Sequence, residues 1–111
     1  METNNTSGTG KTPAIIAYLT ILGTIIAFYM NQDEKKTSLA SFHIRQALGI
    51  HISFYLLGAL VSLFDSWPIT SAFYIFILVL WVFGLITAIQ SEEKSTPILG
   101  PYFQQWFTFI K

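Results

Sequence analysis

Three long apolar runs constrain the fold of this chain more than any other feature. They cover residues 13–30, 39–64 and 71–89, and the last run contains no charged residue. A helix rises about 1.5 Å per residue, so roughly 20 residues cross the hydrocarbon core of a bilayer. Only 11% of the 111 residues are charged, whereas soluble domains carry about 25%. So few charges cannot cover a small water-soluble protein, and the sequence therefore predicts an integral membrane protein.

The predicted fold class is all-α, with three transmembrane helices and a short C-terminal interfacial amphipathic helix. The expected spans are about 13–30, 44–64 and 71–89, all within one helical membrane domain of residues 13–111. Residues 1–12 are polar and show no periodicity, which predicts a disordered N-terminal tail. In Tyr102–Lys111 aromatic residues share one side and Gln and Thr the other. This pattern is typical of a helix, here about 101–111, that lies in the membrane interface.

Small residues recur at helical spacing in all three runs. Such stripes allow close approach of a second helix in lipid. We interpret them as surfaces on which other helices dock. The residues concerned are Thr20, Gly23, Thr24 and Ala27 in the first run, Gly49 and Ser53 in the second, and Gly84 and Ala88 in the third.

Composition argues against several classes of function. The net charge is zero and there is no basic tract, so nucleic acid is not an expected partner. The absence of cysteine excludes thiolate catalysis and Cys-based metal sites. Ser53, His51 and Asp65 are the residue types of a catalytic triad, but on one helix Asp65 would lie about 21 Å from His51. We therefore predict no enzymatic activity, no cofactor and no metal site.

The start of the second run carries the ionisable groups that need a specific explanation. Both histidines and the only arginine lie there, and with one glutamine they form the candidate polar site, for a lipid or a partner: His43, Arg45, Gln46 and His51. Ionisable groups inside a bilayer generally face the helix bundle or a wet cavity. The simplest interpretation is interfacial anchoring for His43 and Arg45. For His51 it is a neutral imidazole hydrogen-bonded to a neighbouring helix.

Two functional interpretations of the same residues remain open. His43, Arg45 and Gln46 could hold the phosphate of an anionic lipid near Lys35 and Lys36. Alternatively, His51 would line the lumen of a homo-oligomeric channel or carrier together with Tyr55 and Ser62, since three helices are too few to enclose a path.

Lysine and arginine positions predict an orientation in the cell inner (cytoplasmic) membrane. Three crossings would place the two chain ends on opposite sides. Five cations would then share the side of the first loop and the C-terminus, and only Lys11 would lie on the other side. Cationic loops favour the cytoplasm, which predicts an external N-terminus and a cytoplasmic C-terminus. The five cations are Lys35, Lys36, Arg45, Lys94 and Lys111.

The stretch Phe42-His43-Ile44-Arg45-Gln46-Ala47-Leu48-Gly49 resembles the signature of a broad family of small bacterial membrane proteins of unknown function. These proteins are related to the Tic import-channel component of the chloroplast inner envelope. Members show an apolar helix, a short charged loop, a His-x-x-Gln-Ala-like start of the second helix, and a further helix. Thr96–Phe103 is similar to their polar segment with Pro and an aromatic end. The resemblance covers residues 13–111 and implies no cofactor and no catalytic residues.

The leading hypothesis is a non-enzymatic accessory or scaffold subunit of a larger membrane complex, with a link to protein translocation. It rests on the small-residue stripes and on the resemblance. The expected partners are the lipid bilayer, other membrane subunits or further copies of the chain, and anionic lipid. The alternatives are the homo-oligomeric channel or carrier and the anionic-lipid-binding protein.

Overall fold

The described part of the chain is all-helical, as predicted. The computed structural model describes residues 2–110, with side chains from residue 10 onward. A single 3-10 turn, Asp33–Lys35, separates the second and third of its α-helices. The α-helices are α1 (Glu2–Leu19), α2 (Ile21–Met30), α3 (Ser38–Val61), α4 (Trp67–Ile89) and α5 (Gly100–Trp106).

Helices α3 and α4 are the described helices that are long and apolar enough to cross a membrane. At 24 and 23 residues they are each about 35 Å long, and they pack antiparallel. The side chain of Thr37 caps α3 by accepting a hydrogen bond from the amide of Ala40 at 3.1 Å. Pro68 lies in the first turn of α4, which begins four residues before the predicted span.

The first apolar run does not form one helix. Thr20 is extended, with φ −155° and ψ 174°, and it separates α1 from α2. Helix α2 runs back along α1, so that Gly23 lies against the carbonyl of Ile16 and the hydroxyl of Thr24 donates to the carbonyl of Ala17 at 2.7 Å. The two helices form a hairpin that enters and leaves at the same end. The expected third span, over residues 13–30, is therefore not confirmed, because length and hydropathy are the same for an apolar hairpin and an unbroken helix.

Most charged residues collect at one end of the bundle. Gly10 of α1 lies against Thr37 at the start of α3, and the hydroxyl of Ser38 donates to the Glu93 carboxylate, just beyond α4, at 2.7 Å. We call this the charged end, defined by residues 10–11, 31–38 and 91–94. The described parts of both chain termini lie at this end of the bundle, so the expected placement of the termini on opposite sides is not confirmed. That expectation counted three crossings, of which the one over residues 13–30 is not confirmed. The described cations on this side are Lys11, Lys35, Lys36, Arg45 and Lys94; Lys111 lies outside the described residues.

Helix α1 begins at Glu2, whereas the sequence predicted a disordered tail up to residue 12. Pro13 accordingly lies inside α1. Gly10 is buried against Thr37 and Leu39, with an added Cβ only 2.6 Å from the Thr37 hydroxyl oxygen. This contact holds α1 at Gly10 against the start of α3.

The C-terminal helix is shorter than predicted and packs directly on α3. It spans Gly100–Trp106 instead of residues 101–111. The ring of Phe103 occupies the space where Gly49 lacks a side chain, and both Phe103 and Ile110 are buried. Some aromatic residues of the segment, such as Phe103, therefore pack into the bundle, whereas others, such as Trp106, stay exposed.

Candidate functional site

A buried chain of hydrogen bonds links the hairpin, α3 and the segment after α4. The Tyr18 hydroxyl lies 2.5 Å from Nδ1 of His43, and Nε2 of His43 lies 2.6 Å from the carbonyl oxygen of Glu92. A carbonyl only accepts, so Nε2 carries the proton and Nδ1 accepts from Tyr18. The Tyr18 oxygen in turn accepts from Nε2 of Gln46 at 2.8 Å. Every donor in this series of hydrogen bonds therefore meets an acceptor when His43 is neutral and carries its proton on Nε2.

Gln46 also holds the connector between α4 and α5. Its Oε1 accepts from the amide of Thr96 at 2.8 Å, and its Nε2 lies 3.4 Å from the carbonyl of Lys94. The Thr96 side chain is buried, and its Oγ1 has no partner among the described residues. Two residues later, Ile98 has a φ of 66°. A β-branched residue rarely adopts this conformation, which costs on the order of 1–3 kcal/mol, so the connector is held in place by its anchors rather than by local preference.

The tip of the hairpin is capped by side chains from both long helices. The last carbonyls of a helix have no intrahelical partner, and in hydrocarbon each unpaired group costs several kcal/mol. Nε2 of His51 lies 3.1 Å from the carbonyl of Ala17, which also accepts from Thr24. Nε1 of Trp81 donates to the carbonyl of Tyr18 at 2.5 Å. His51 thus makes the expected bond to a neighbouring helix, and its partner is backbone released by the break at Thr20.

Arg45 clamps the C-terminal segment. Its Nε donates to Oε1 of Gln104 at 2.6 Å, and its Nη1 donates to the carbonyl of Ile110 at 2.7 Å. Gln104 completes the arrangement by donating to the carbonyl of Phe42 at 3.0 Å. The guanidinium predicted to anchor the chain at headgroup phosphates is instead engaged with the chain itself.

The glycines that we interpreted as docking surfaces are occupied within the chain. Gly23 touches the backbone of Ile16, Gly49 faces Phe103, and an added Cβ on Gly84 would lie 2.5 Å from the Tyr18 ring. These contacts let the hairpin and α5 approach α3 and α4 closely. The small-residue stripes therefore explain the packing of one molecule and do not by themselves indicate a partner.

The four predicted site residues fall into separate places. His43 and Gln46 share one buried network, Arg45 lies beside it at the C-terminal segment, and His51 lies deeper, at the hairpin tip. Tyr55, predicted to share a lumen with His51, is 58% exposed, and it lines the same open pocket between α3 and α4 as His51. Ser62 donates to the carbonyl of Ala59 one turn earlier.

The polar residues that the sequence did not single out are mainly the partners of these side chains. Tyr18, Trp81 and Asn31 lie in or beside apolar runs, and each makes a buried or half-buried hydrogen bond. A polar aromatic side chain inside an apolar run usually has a partner, and this signal was present in the sequence. Among the described residues, no three His, Asp or Glu side chains are grouped closely enough to hold a metal ion.

Comparison with known proteins yields one family. The model of the MamF/MmsF family, described as the magnetosome magnetite crystal formation protein family, matches residues 9–103. No curated protein and no solved structure matches the chain. The expected relation to the Tic component is wrong, because the matching family is a different one. The link to protein translocation, which rested on that resemblance, loses its basis.

Proposed function

Because the chain belongs to the magnetosome magnetite crystal formation protein family, we propose that it is a non-enzymatic scaffold subunit of the membrane in which such a crystal forms. The match covers most of the chain, from α1 to the middle of α5. The role would be carried by the shape and surface of the membrane-embedded fold rather than by a reaction centre.

The use of the polar side chains is the observation that carries this proposal. His43, Gln46, Arg45 and His51 all bond to groups of the chain itself. Their partners are mostly backbone carbonyls and amides, which hold the hairpin, the connector and the C-terminal segment on α3. Acid–base or nucleophilic catalysis requires a reactive side chain within hydrogen-bond reach of its activating partner and of a substrate. In the described arrangement these four side chains instead hold the fold in one conformation.

The outer surface supports a role in contacts within the membrane. Beyond the hairpin tip, α3 and α4 are the described helices that continue, and their outward residues are large and apolar, among them Leu56, Leu60 and Ile75. Faces of this kind contact lipid and neighbouring helices. A rigid, hydrogen-bonded half at the charged end would hold the two-helix half in a fixed orientation.

The two alternatives receive less support from the geometry. A headgroup site would need His43 and Gln46 free, whereas both are buried and bonded. For the homo-oligomeric lumen, His51 and Tyr55 do line one open pocket, but most of its other lining residues are apolar and the Ser62 hydroxyl donates to the carbonyl of Ala59.

Complementation tests the proposal directly. A magnetite-forming bacterium that lacks its own family member would receive the full chain, and crystal size and number would be measured by electron microscopy. We expect the chain to restore crystals and to purify in mild detergent within a larger complex. The variant Tyr18→Phe/Gln46→Leu should lose restoration, and Tyr74→Phe, which alters an exposed hydroxyl, should keep it. A membrane-inserted chain that leaves crystals unrestored, or that stays a solitary monomer in native membranes, would contradict the proposal.

A further inference from the structure

An apolar bay of about 480 Å³ opens directly beneath the hairpin tip. Thr20 lies at its roof, because the tip of the hairpin ends there. Its walls come from α3 and α4. Ile50, Phe54, Ile77, Leu78 and Trp81 supply most of the apolar surface, and His51, Tyr55 and Tyr74 add a few polar atoms. The volume lies within the roughly 300–1,000 Å³ range of sites that bury a small ligand.

The depth of the bay follows from the hydrogen bond between His51 and the carbonyl of Ala17. That bond places the tip level with His51, 13 residues from the start of α3 at Ser38, or about 20 Å from the charged end. Ten residues remain to the end of α3 at Val61, which is about 15 Å. Since the hydrocarbon core is about 30 Å thick, the bay lies within the hydrocarbon of the leaflet farther from the charged end.

We propose that the bay holds an acyl chain of a bilayer phospholipid from that farther leaflet. The hairpin stops halfway, so lipid of the near leaflet is excluded by protein while lipid of the far leaflet reaches the tip from below. An occupant of the bay must be about as long as one leaflet is thick, and its surface must be apolar. This binding is independent of the proposed function.

Size separates this occupant from a helix of a second copy. The bay follows α3 only from Ile50 to Tyr55 and α4 only from Tyr74 to Trp81, about 8 and 11 Å, whereas a docked helix would follow the roughly 15 Å of α3 that lies beyond the tip. Water is also a poor occupant, because each buried molecule needs two to four polar partners and the lining is mostly apolar.

Trp81 reports on the bay from within. The variant Trp67→Phe/Trp106→Phe leaves it as the only tryptophan, and the full chain is placed in nanodiscs of phospholipid brominated near the end of the acyl chain. We expect strong quenching of Trp81 fluorescence. In this background Leu78→Phe should reduce the quenching by about twofold or more, since the added ring takes up space in the bay. The matched control Leu56→Phe lies outside the bay on a similarly exposed leucine (65% against 56%) and should leave it unchanged.

Native mass spectrometry gives a second measurement that needs no tryptophan replacement. The wild-type chain should retain one phospholipid under activation that strips the remaining lipid, and Leu78→Phe alone should lose it. Equal quenching in the Leu78 and Leu56 variants would overturn the proposal. A wild-type chain that retains no phospholipid, or a dimer cross-linked through bay residues, would overturn it as well.

Discussion

Removal of the Tyr18 hydroxyl tests whether the buried network holds the hairpin on α3. The variant Tyr18→Phe keeps the ring, which packs edge-to-face on His43 and fills the space beside Gly84. It deletes two hydrogen bonds, of 2.5 Å to His43 and 2.8 Å from Gln46. Each is worth about 1 kcal/mol net in soluble proteins and about 0.6 kcal/mol on average within a membrane. The acceptor Nδ1 of His43 is also left buried and unpaired, which adds roughly 1–3 kcal/mol.

With the membrane value for the two bonds, these contributions predict that Tyr18→Phe lowers the free energy of unfolding by about 2–4 kcal/mol, or roughly 30- to 1,000-fold in the equilibrium constant. The assay is reversible unfolding of the detergent-solubilised chain by increasing dodecyl sulfate, followed by circular dichroism. Tyr74→Phe is the matched control, because its hydroxyl has no hydrogen-bond partner among the described residues. A double-mutant cycle with Gln46→Leu should show positive coupling. If Tyr18→Phe and Tyr74→Phe unfold at the same dodecyl sulfate fraction, the network does not stabilise the fold and the reasoning is refuted.

Three further predictions test other parts of the structure. Gly84→Ala should lower the free energy of unfolding by about 1–3 kcal/mol, because the new Cβ would lie 2.5 Å from the Tyr18 ring. The control is Gly58→Ala, whose Cβ meets no atom within 3.5 Å and which should be neutral or stabilising by up to about 1 kcal/mol. Equal effects of the two variants in the same unfolding assay would contradict this packing. Arg45→Gln should release the C-terminal segment and raise the rate of its amide hydrogen exchange about tenfold or more through local opening, while exchange in α3 and α4 stays unchanged. Lys36→Gln is the control for loss of a positive charge. Unaltered exchange in the Arg45 variant would show that the Arg45 hydrogen bonds do not hold the C-terminal segment. Reporters fused to the two chain ends should be active on the same side of the membrane, the cytoplasm, because the described cations share one end; activity on opposite sides would rule out the hairpin.

The positions of the long helices could be predicted because they depend on local composition. The run over residues 71–89 is apolar throughout, and α4 indeed ends at Ile89. The chemical character of His51 was also accessible, since an ionisable group deep in an apolar run needs an internal partner. The ends of α3 and α4 differ from the predicted spans, 44–64 and 71–89, by zero to six residues, because caps such as Thr37 and Ser66 are selected by local geometry among several equally suitable residues.

The partners of the site residues could not be predicted, because they depend on contacts between distant parts of the chain. Arg45 meets Gln104 across 59 positions, and His43 meets Glu92 across 49. Helical periodicity indicates which side of α3 each residue occupies, but it carries no information on what lies opposite. The sequence interpretation therefore assigned Arg45 to lipid, whereas the fold supplies a protein partner.

The sequence by itself determined that the chain is helical and belongs in hydrocarbon, because solvent preference is a sum over residues and needs no knowledge of their arrangement. Only the tertiary structure decided that the first apolar run turns back at Thr20. An isolated break in a membrane helix exposes backbone groups at high cost, and it becomes stable only where Thr24, His51 and Trp81 converge on the released carbonyls. That convergence, which no local pattern contains, sets the reversal of the chain at Thr20, the return of α2 to the charged end and the bay beneath the tip.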